Sequence, residues 1–354
     1  MMIGFSVVPA CAHGEFLGPG GLSRASVKDA TMKLAILDDW FDTLRGLPCF
    51  SKLDGLDVTV FADHLPEASA LVERLRDFDA VVLFRERTAV TAELLDQLPN
   101  LKLISQRSVY PHVDVPACTR NGVLLCSNMH SGTPSFAAAE HTWALILATM
   151  RQIPQQMASL QAGNWQMGVG KTLNGRTIGI YGYGRIGTAV ETYSKAFGMN
   201  VVWWASEQGR ARLAIDGKVV AESRAAFFAQ SDVVTVHARL TPETRGMITA
   251  EDLSAMHADA LLVNTSHAGL IEAGALFEAL NAGTPGMAAI DVFDVEPITS
   301  ANDPLANHPN VVVTPHIGFV TEDEFELQFT DIFDQVMAYG KGAPIHMVNP
   351  EAWT

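Results

Sequence analysis

Two histidines and a carboxylate follow apolar segments of the sequence, at places where they could transfer protons. The segment VVVTPHIG contains His316, AAIDVFDVEP supplies Glu296, and LVNTSHAGL carries His267. Side chains that follow parallel strands gather at the carboxyl edge of a sheet, where ligands bind in α/β folds. A carboxylate beside a histidine holds the imidazolium and its tautomer, which makes the pair a general acid or base. His316 and Glu296 are therefore suited to deliver a proton to the alkoxide that forms when a carbonyl is reduced.

A glycine motif predicts a dinucleotide site. In YGYGRIG, Gly182, Gly184 and Gly187 have the spacing GxGxxG, with Arg185 and Ile186 inside the motif. The motif follows an apolar strand and opens a helical pattern, which is the context that such a site requires. The first glycine allows a tight turn, the second lets a pyrophosphate approach the backbone, and the third lets helix and strand pack closely. The pyrophosphate would then bind the free amides of the helix N-terminus.

The choice between NAD and NADP depends on the next strand, NVVWWASEQGRAR. Ser206 stands where an acidic residue would bind the ribose 2′-hydroxyl of NAD, and Arg210 and Arg212 follow. A small residue with nearby arginines accommodates the 2′-phosphate of NADP, whereas the alternative is a pair of solvated loop arginines. Both cofactors remain open, with a slight preference for NADP. His237, which ends the strand VVTVHA, is expected to line the cofactor site.

Strands that alternate with helices must position these residues. Five apolar strand segments precede an Ala-rich stretch, and six more follow from TIGIY onward. Such alternation predicts an α/β fold with two parallel-sheet domains. The Ala-rich stretch predicts a long buried helix over about residues 134–150. The acidic, amphipathic stretch TEDEFELQFTDIFDQVMAYGKG predicts a last helix that returns to the first domain.

Composition and charge limit the classes of partner. The chain has 354 residues, enough for two domains, and 48% of them are hydrophobic, which provides ample core. Its net charge of −15 argues against nucleic acid or an anionic membrane as a partner. The four cysteines lack metal-binding spacing, and no segment resembles a membrane span, so we expect a cytoplasmic protein without a metal. Residues 1–31 are expected to form a disordered extension.

Taken in order, the motifs GxGxxG, NTS, DVFDVEP and TPHIG resemble those of the D-isomer-specific 2-hydroxyacid dehydrogenases. The resemblance implies a flavodoxin-like substrate domain, residues 32–129 plus 320–354, and a Rossmann cofactor domain, residues 130–319, with a cleft between them. It implies an NAD(P)-dependent oxidoreductase that interconverts a small 2-oxoacid and a D-2-hydroxyacid. It also implies a homodimer built through the cofactor domain, with the Ala-rich helix as a contact.

The resemblance assigns roles to single residues. Family members use an arginine, a glutamate and a histidine, and Glu296 and His316 match the last two. Asp291 matches the aspartate that receives the nicotinamide carboxamide, and Thr265 belongs to the cofactor-binding residues. The arginine is expected in NTSR, where this chain has His267. An imidazole lacks the permanent charge and planar fork of a guanidinium, so the change would cost about 3 kcal/mol of transition-state stabilisation, about a hundredfold in rate.

Three explanations of His267 remain open: an impaired site, an adaptation to another substrate, and an engineered change. The rival function is that of a dinucleotide-sensing regulatory protein that has lost turnover. The intact pair of Glu296 and His316 argues against that rival, because a protein without turnover does not need it.

A second departure concerns the substrate carboxylate. The family commonly has glycines after the fourth strand, whereas this chain reads SQRSVYPHVD, with Arg107, Ser108 and Val109 in that place. Arg107 either binds the substrate carboxylate or lies in solvent. Arg85 and Arg87, in FRERT, either reach the cleft or form a surface turn.

Overall fold

The structure is a computed structural model that describes residues 31–129, 135–298 and 303–353. The predicted extension lies outside these ranges, apart from its last residue. Among the described residues, no helix is both long and apolar enough to span a bilayer.

Five parallel strands form the first sheet, in the order β2-β1-β3-β4-β5. They are β1 (Lys33–Ile36), β2 (Asp57–Val60), β3 (Ala80–Val82), β4 (Leu103–Arg107) and β5 (Leu124–Asn128). This is the order of a flavodoxin-like fold, in which ligands bind beyond the carboxyl ends of the strands where the order reverses. Arg85, which follows β3, and Arg107, which ends β4, therefore lie at the carboxyl edge of this sheet.

Apolar clusters cover both faces of the first sheet. One face packs against three short α-helices, and the other packs against two 3-10 helices. The elements are α1 (Ala68–Leu75), α2 (Ala92–Leu95), α3 (Val115–Arg120) and the 3-10 helices Leu44–Gly46 and Pro48–Leu53.

Six parallel strands form the second sheet, in the order β11-β10-β9-β8-β6-β7. They are β6 (Thr177–Tyr181), β7 (Asn200–Trp204), β8 (Val233–Val236), β9 (Leu261–Asn264), β10 (Met287–Ile290) and β11 (Val311–Val313). A single bridge between Trp203 and Val220 adds the stub of one more strand beyond β7. With that stub the order is that of a Rossmann fold, so the predicted class of two parallel-sheet α/β domains is confirmed.

Helices also cover both faces of the second sheet. They are α4 (Ala137–Met150), α5 (Ile153–Gln161), α6 (Arg185–Ala196), α7 (Glu207–Ile215), α8 (Arg224–Ala229), α9 (Ala250–Ser254) and α10 (Ala275–Ala282). Helix α4 packs on β9, β10 and β11, and it buries Trp143, Leu145 and Ile146. The long buried helix predicted from the Ala-rich stretch is therefore confirmed.

The last helix, α11 (Glu322–Gly340), packs against the first sheet and not the second. Its buried phenylalanines Phe325 and Phe329 lie 5.1 and 5.0 Å from Phe84, measured between ring centroids. The chain thus returns to the first core after it has built the second. The domain boundaries derived from the sequence stay a prediction.

Candidate active site

His316 and Glu296 come together as a hydrogen-bonded pair beside the second sheet. Nδ1 of His316 lies 2.6 Å from Oε2 of Glu296, and the other carboxylate oxygen accepts the amide of Phe293 at 2.8 Å. About a third of each side chain is exposed: 37% for His316 and 32% for Glu296. Since Nδ1 is engaged by the carboxylate, Nε2 is the ring nitrogen left to face a ligand.

The loop that carries His316 has an unusual backbone conformation. His316 has φ of 54°, in the left-handed region that residues other than glycine rarely adopt. The buried carboxylate of Asp291 holds this loop by accepting the amides of Ile317 at 2.9 Å and Gly318 at 2.8 Å and the hydroxyl of Thr314 at 2.5 Å. Such backbone strain persists only where surrounding contacts enforce it, and it occurs often at functional sites.

Asp291 also contacts His141, a residue of α4. Nε2 of His141 lies 3.2 Å from Asp291 and 2.9 Å from Thr314. Burial raises the pKa of Asp291, but the hydrogen bonds from His141, Thr314 and Ile317 outweigh it, so the pKa lies below its ordinary value. The contact of Asp291 with a nicotinamide carboxamide stays a prediction.

His267 lies close to this pair, in the stretch after β9. It is half-buried, and burial lowers its pKa; Glu86 opposes that shift, whereas His316 and Arg85 add to it. Its imidazole is therefore neutral at pH 7. The imidazole forms no hydrogen bond with any residue that the structure describes.

Arg85 reaches the same place from the first domain. Its guanidinium carbon lies 4.4 Å from the ring centroid of Phe319, and that ring meets the His316 imidazole edge-on at 5.4 Å. Burial lowers the pKa of Arg85. Its φ of 59° is another left-handed value. The structure thus brings a cation from one domain beside the histidine of the other.

Arg107 is not brought into this group: it pairs with two carboxylates of α11, so the alternative that it lies in solvent is wrong. Its Nε donates to Asp331 of α11 at 2.8 Å, and one terminal nitrogen lies 3.7 Å from Glu324. The side chain is 11% exposed, so it does not lie in solvent, and its contact with a substrate carboxylate stays a prediction. Ser108 follows with φ of 78°, and its carbonyl accepts hydrogen bonds from Ser127 and Gln106.

The glycine-rich loop has the shape that a dinucleotide requires. Gly182 has φ of 106°, and a Cβ there would lie 2.2 Å from the carbonyl oxygen of His237. A Cβ on Gly187 would lie 2.8 Å from the carbonyl oxygen of Gly182, whereas one on Gly184 would meet open space. Helix α6 begins at Arg185 without a side-chain cap, and the amides of its first turn, at Arg185, Ile186 and Gly187, donate no hydrogen bond to the described residues. Free amides beside open space fit a pyrophosphate.

The end of β7 carries the residues expected to contact the adenosine part of a cofactor. Ser206 caps α7 by accepting the amide of Gly209 at 3.3 Å. Arg210 lies over the Trp204 ring, 4.5 Å from its centroid, and donates to the carbonyl of Ala205 at 2.7 Å. A cavity of about 420 Å³ opens beside the glycine-rich loop, with Arg185 and Arg212 in its lining.

The two remaining predicted cofactor residues follow β8 and β9. Burial lowers the pKa of His237 to about 3, and its Nδ1 is buried without a partner while Nε2 lies 2.9 Å from the Thr235 hydroxyl. Thr265 shares a 2.6 Å hydrogen bond with Thr142 of α4. Both residues follow neighbouring strands of the second sheet.

Sequence comparisons agree with this geometry. Residues 143–318 match the family profile described as D-isomer specific 2-hydroxyacid dehydrogenase, NAD binding domain. Glyoxylate reductase of Aeropyrum pernix is 33% identical over 310 residues, which cover 83% of this chain and 90% of that protein. D-3-phosphoglycerate dehydrogenase of Bacillus subtilis is 32% identical over 302 residues, which cover 82% of this chain but only 56% of the longer relative.

A solved structure gives the same result for the fold. Phosphoglycerate oxidoreductase from Vibrio cholerae superposes with a TM-score of 0.83 and 44% identity, covering 88% of this chain and all of that one. The chain therefore belongs to the D-isomer specific 2-hydroxyacid dehydrogenase family, as its motifs predicted.

Proposed function

We propose that this protein is an NAD(P)-dependent oxidoreductase that interconverts a small 2-oxoacid and a D-2-hydroxyacid. The observation that carries the proposal is the 2.6 Å contact between His316 and Glu296. In this role Nε2 of His316 delivers a proton to the carbonyl oxygen during reduction and removes it during oxidation. Glu296 holds Nδ1 and so fixes the tautomer and the orientation of the ring. The bound nicotinamide would supply or accept the hydride.

Arg85 binds the substrate carboxylate in place of the arginine that position 267 lacks. Three observations support this role: its lack of a carboxylate partner among the described residues, its partial burial, and its contact with Phe319 beside His316. His267, being neutral, contributes one hydrogen bond to the substrate but no charge. Arg107 has no part in substrate binding, because Asp331 and Glu324 already engage it.

The cofactor is NADP in preference to NAD. The residue at the position of the acidic residue, beyond the end of β7, is Ser206, which has no carboxylate. Arg210 and Arg212 lie on the helix that follows. Arginines in this position suit the 2′-phosphate, which an acidic residue would repel. A comparison of KM for NADPH and NADH tests this, with Ser206→Asp expected to reverse the preference. Equal KM values in the unaltered protein would contradict it.

The central experiment measures oxidation of NADH and NADPH with glyoxylate, pyruvate and hydroxypyruvate, in the unaltered protein and in His267→Arg. We expect turnover in both, with kcat/KM higher by up to about a hundredfold in the variant. Turnover only in the variant would identify His267 as the cause of the inactivity of the unaltered protein. Absence of turnover in both would overturn the proposal.

A second function, dinucleotide sensing without turnover, is favoured by one observation. Burial lowers the pKa of His267, so the chain has no fixed positive charge at that position. This candidate predicts dinucleotide binding without catalysis, even after His267→Arg. Calorimetric titration with NADPH, run beside the turnover assay, separates it from a protein that binds no cofactor.

The proposal includes a homodimer built through the cofactor domain. Helix α4 is largely buried, whereas large apolar side chains are exposed on α5 and on the segment after it. Met157, Leu160 and Trp165 are exposed there, Trp165 to 75%. Sedimentation velocity should show a dimer that Met157→Glu converts to monomer, while the neighbouring exposed change Gln161→Glu leaves it intact. A monomeric unaltered protein would contradict the dimer.

A further inference from the structure

A buried carboxylate lies at the carboxyl edge of the first sheet. Asp38 follows β1, the strand between β2 and β3, and it is only 2% exposed. One carboxylate oxygen contacts Nδ1 of His64 at 2.8 Å, and the other accepts the hydroxyl of Thr88 at 2.6 Å. His64 follows β2 and Thr88 follows β3, so Asp38 connects the ends of three neighbouring strands.

The backbone of Asp38 makes a second connection to the residues after β3. Its carbonyl oxygen accepts hydrogen bonds from a terminal nitrogen of Arg87 at 2.6 Å and from the amide of Trp40 at 2.9 Å. The guanidinium carbon of Arg87 also lies 3.8 Å from the centroid of the Trp40 ring. Asp38 itself has φ of 61°, a left-handed value that persists only where the surrounding contacts enforce it.

These contacts hold one end of the turn that carries Arg85. The other end is held by the sheet, where the amide of Leu83 donates to the carbonyl of Ser105 at 3.1 Å. Only residues 84–87 lie between that hydrogen bond and Thr88. A segment this short, held at both ends, has few conformations available to it. The left-handed φ of 59° at Arg85 therefore depends on the contacts that Asp38 makes.

Arg85 is the residue through which this arrangement meets the candidate active site. Its guanidinium carbon lies 4.4 Å from the centroid of Phe319, and that ring lies 5.4 Å from the imidazole of His316. Among the described residues, no carboxylate forms an ion pair with Arg85. The direction of its side chain is therefore set by the backbone of the turn and by packing on Phe319.

We propose that Asp38 is a positioning residue for substrate binding, which fixes the turn after β3 so that Arg85 faces His316. His64 assists by holding the second carboxylate oxygen in place. The proposal rests on the proposed function, in which Arg85 binds the substrate carboxylate. Each domain thus uses one buried carboxylate to hold a loop beside the candidate active site, since Asp291 holds the loop of His316.

Displacement of Arg85 should change substrate affinity more than the chemical step. The substrate carboxylate keeps its charge while the neighbouring carbonyl is reduced, so Arg85 binds the ground state and the transition state about equally. Loss of such uniform binding raises KM and leaves kcat nearly unchanged. If Asp38 served only the fold, its loss would lower the free energy of unfolding and change neither KM nor kcat.

Thr88→Val tests the connection with the smallest change, because it removes the hydroxyl that Asp38 accepts and keeps the shape of the side chain. The probe is oxamate, an inert 2-oxoacid analogue with one negative charge, titrated by calorimetry with saturating NADPH. We expect the dissociation constant of oxamate and KM for the 2-oxoacid to rise about tenfold, as loss of a hydrogen bond to a carboxylate would give, with kcat within about twofold. Thr88→Ser keeps the hydroxyl and should retain most of the affinity.

The matched control is Ser105→Ala in the adjacent strand β4. It also removes a buried hydroxyl, which donates to the carbonyl of Ile332 at 2.8 Å, and it should leave oxamate affinity unchanged. Asp38→Asn offers one acceptor oxygen where the carboxylate offers two, so it should weaken oxamate binding at least as much as Thr88→Val. Urea unfolding of each variant measures stability separately, and Thr88→Val covers the case in which Asp38→Asn does not fold.

Two results would overturn the proposal: unchanged oxamate affinity in Thr88→Val, or an equal loss of affinity in Thr88→Ser or Ser105→Ala. Failure of the unaltered protein to bind oxamate counts against it as well. If a 2-oxoacid is reduced while Thr88→Val changes neither KM nor oxamate affinity, the proposal fails and the proposed function stands. If Thr88→Val weakens oxamate binding but no 2-oxoacid is reduced, the positioning role stands and the proposed function fails.

Discussion

The carboxylate of Asp291 accepts the backbone amide of Ile317 at 2.9 Å, and it thereby holds the loop in which His316 adopts a left-handed conformation. The same carboxylate contacts Nε2 of His141 on α4 at 3.2 Å. A helix that packs on the second sheet is thus connected, through one buried carboxylate, to the loop of the proposed proton donor. His141 acts in this arrangement as a positioning residue, since no part of it reaches the imidazole of His316 directly.

The first prediction concerns that connection. His141→Phe removes the imidazole that contacts Asp291 and Thr314, so the loop that carries His316 should be held less rigidly. We expect kcat to fall about tenfold, because a small misplacement of the proton donor lowers the rate, while KM for the 2-oxoacid changes little. Steady-state kinetics at several pH values measures both quantities.

Two controls separate positioning from a general loss of structure. His141→Gln keeps an N–H donor and should recover part of kcat. Glu140→Gln changes the exposed neighbour on the same helix and should have no effect. If kcat falls equally in His141→Phe and His141→Gln, His141 contributes only to the packing of α4 and does not position the His316 loop.

The second prediction concerns the carboxylate that holds His316. Glu296→Gln keeps the size of the side chain but removes the charge that stabilises the imidazolium. We expect kcat/KM to fall by at least about a hundredfold, the usual range for impaired general acid catalysis. Asp294→Asn removes a charge from an exposed residue of the same loop and serves as the control. A Glu296→Gln protein as active as the Asp294→Asn protein would exclude Glu296 from the mechanism.

The sequence predicted best those features that depend on neighbouring residues. The strand before YGYGRIG and the helix after it are local, and the open space at Gly184 follows from the same few residues. The pairing of His316 with Glu296 was predictable because both residues follow adjacent strands, β10 and β11, whose ends meet at one edge of the sheet.

Features that depend on contacts across the fold could not be predicted in this way. The pairing of Arg107 with Asp331 requires α11 to pack beside β4, and no local pattern encodes which residue of α11 faces that strand. The contact of Arg85 with Phe319 likewise depends on the chain returning to the core of the first sheet. The contact of His141 with Asp291 likewise requires α4 to pack on the second sheet beside the end of β10.

The third prediction tests the structural role of Arg107. Arg107→Met leaves the carboxylates of Asp331 and Glu324 without their cation in a site where the arginine side chain is 11% exposed. Loss of one partner of a largely buried ion pair should lower the free energy of unfolding by about 2 to 3 kcal/mol. Values of kcat/KM should stay within about twofold, because the proposed function gives Arg107 no part in substrate binding.

Urea unfolding and steady-state kinetics on the same preparation check both parts. The double variant Arg107→Met with Asp331→Asn should recover part of the stability, since the second change removes the unpaired charge. A large loss of kcat/KM at unchanged stability would restore Arg107 as a substrate-binding residue.

The fourth prediction follows from the buried imidazole of His237, whose pKa in the folded protein is lowered from 6.5 to about 3. Between these two pH values the unfolded chain binds a proton that the folded chain does not bind. The free energy of unfolding should therefore fall as pH falls from about 6.5 towards 3, with a contribution from this residue of up to about 1.4 kcal/mol per pH unit. His237→Gln removes that contribution, so the stability of this variant should depend less steeply on pH over the same window.

Urea unfolding at pH values from 7 down to 4 measures the two slopes. The control is His346→Gln, a change at an exposed histidine, which should keep the slope of the unaltered protein. Identical slopes in all three proteins would mean that His237 takes up its proton as readily in the folded chain as in the unfolded one.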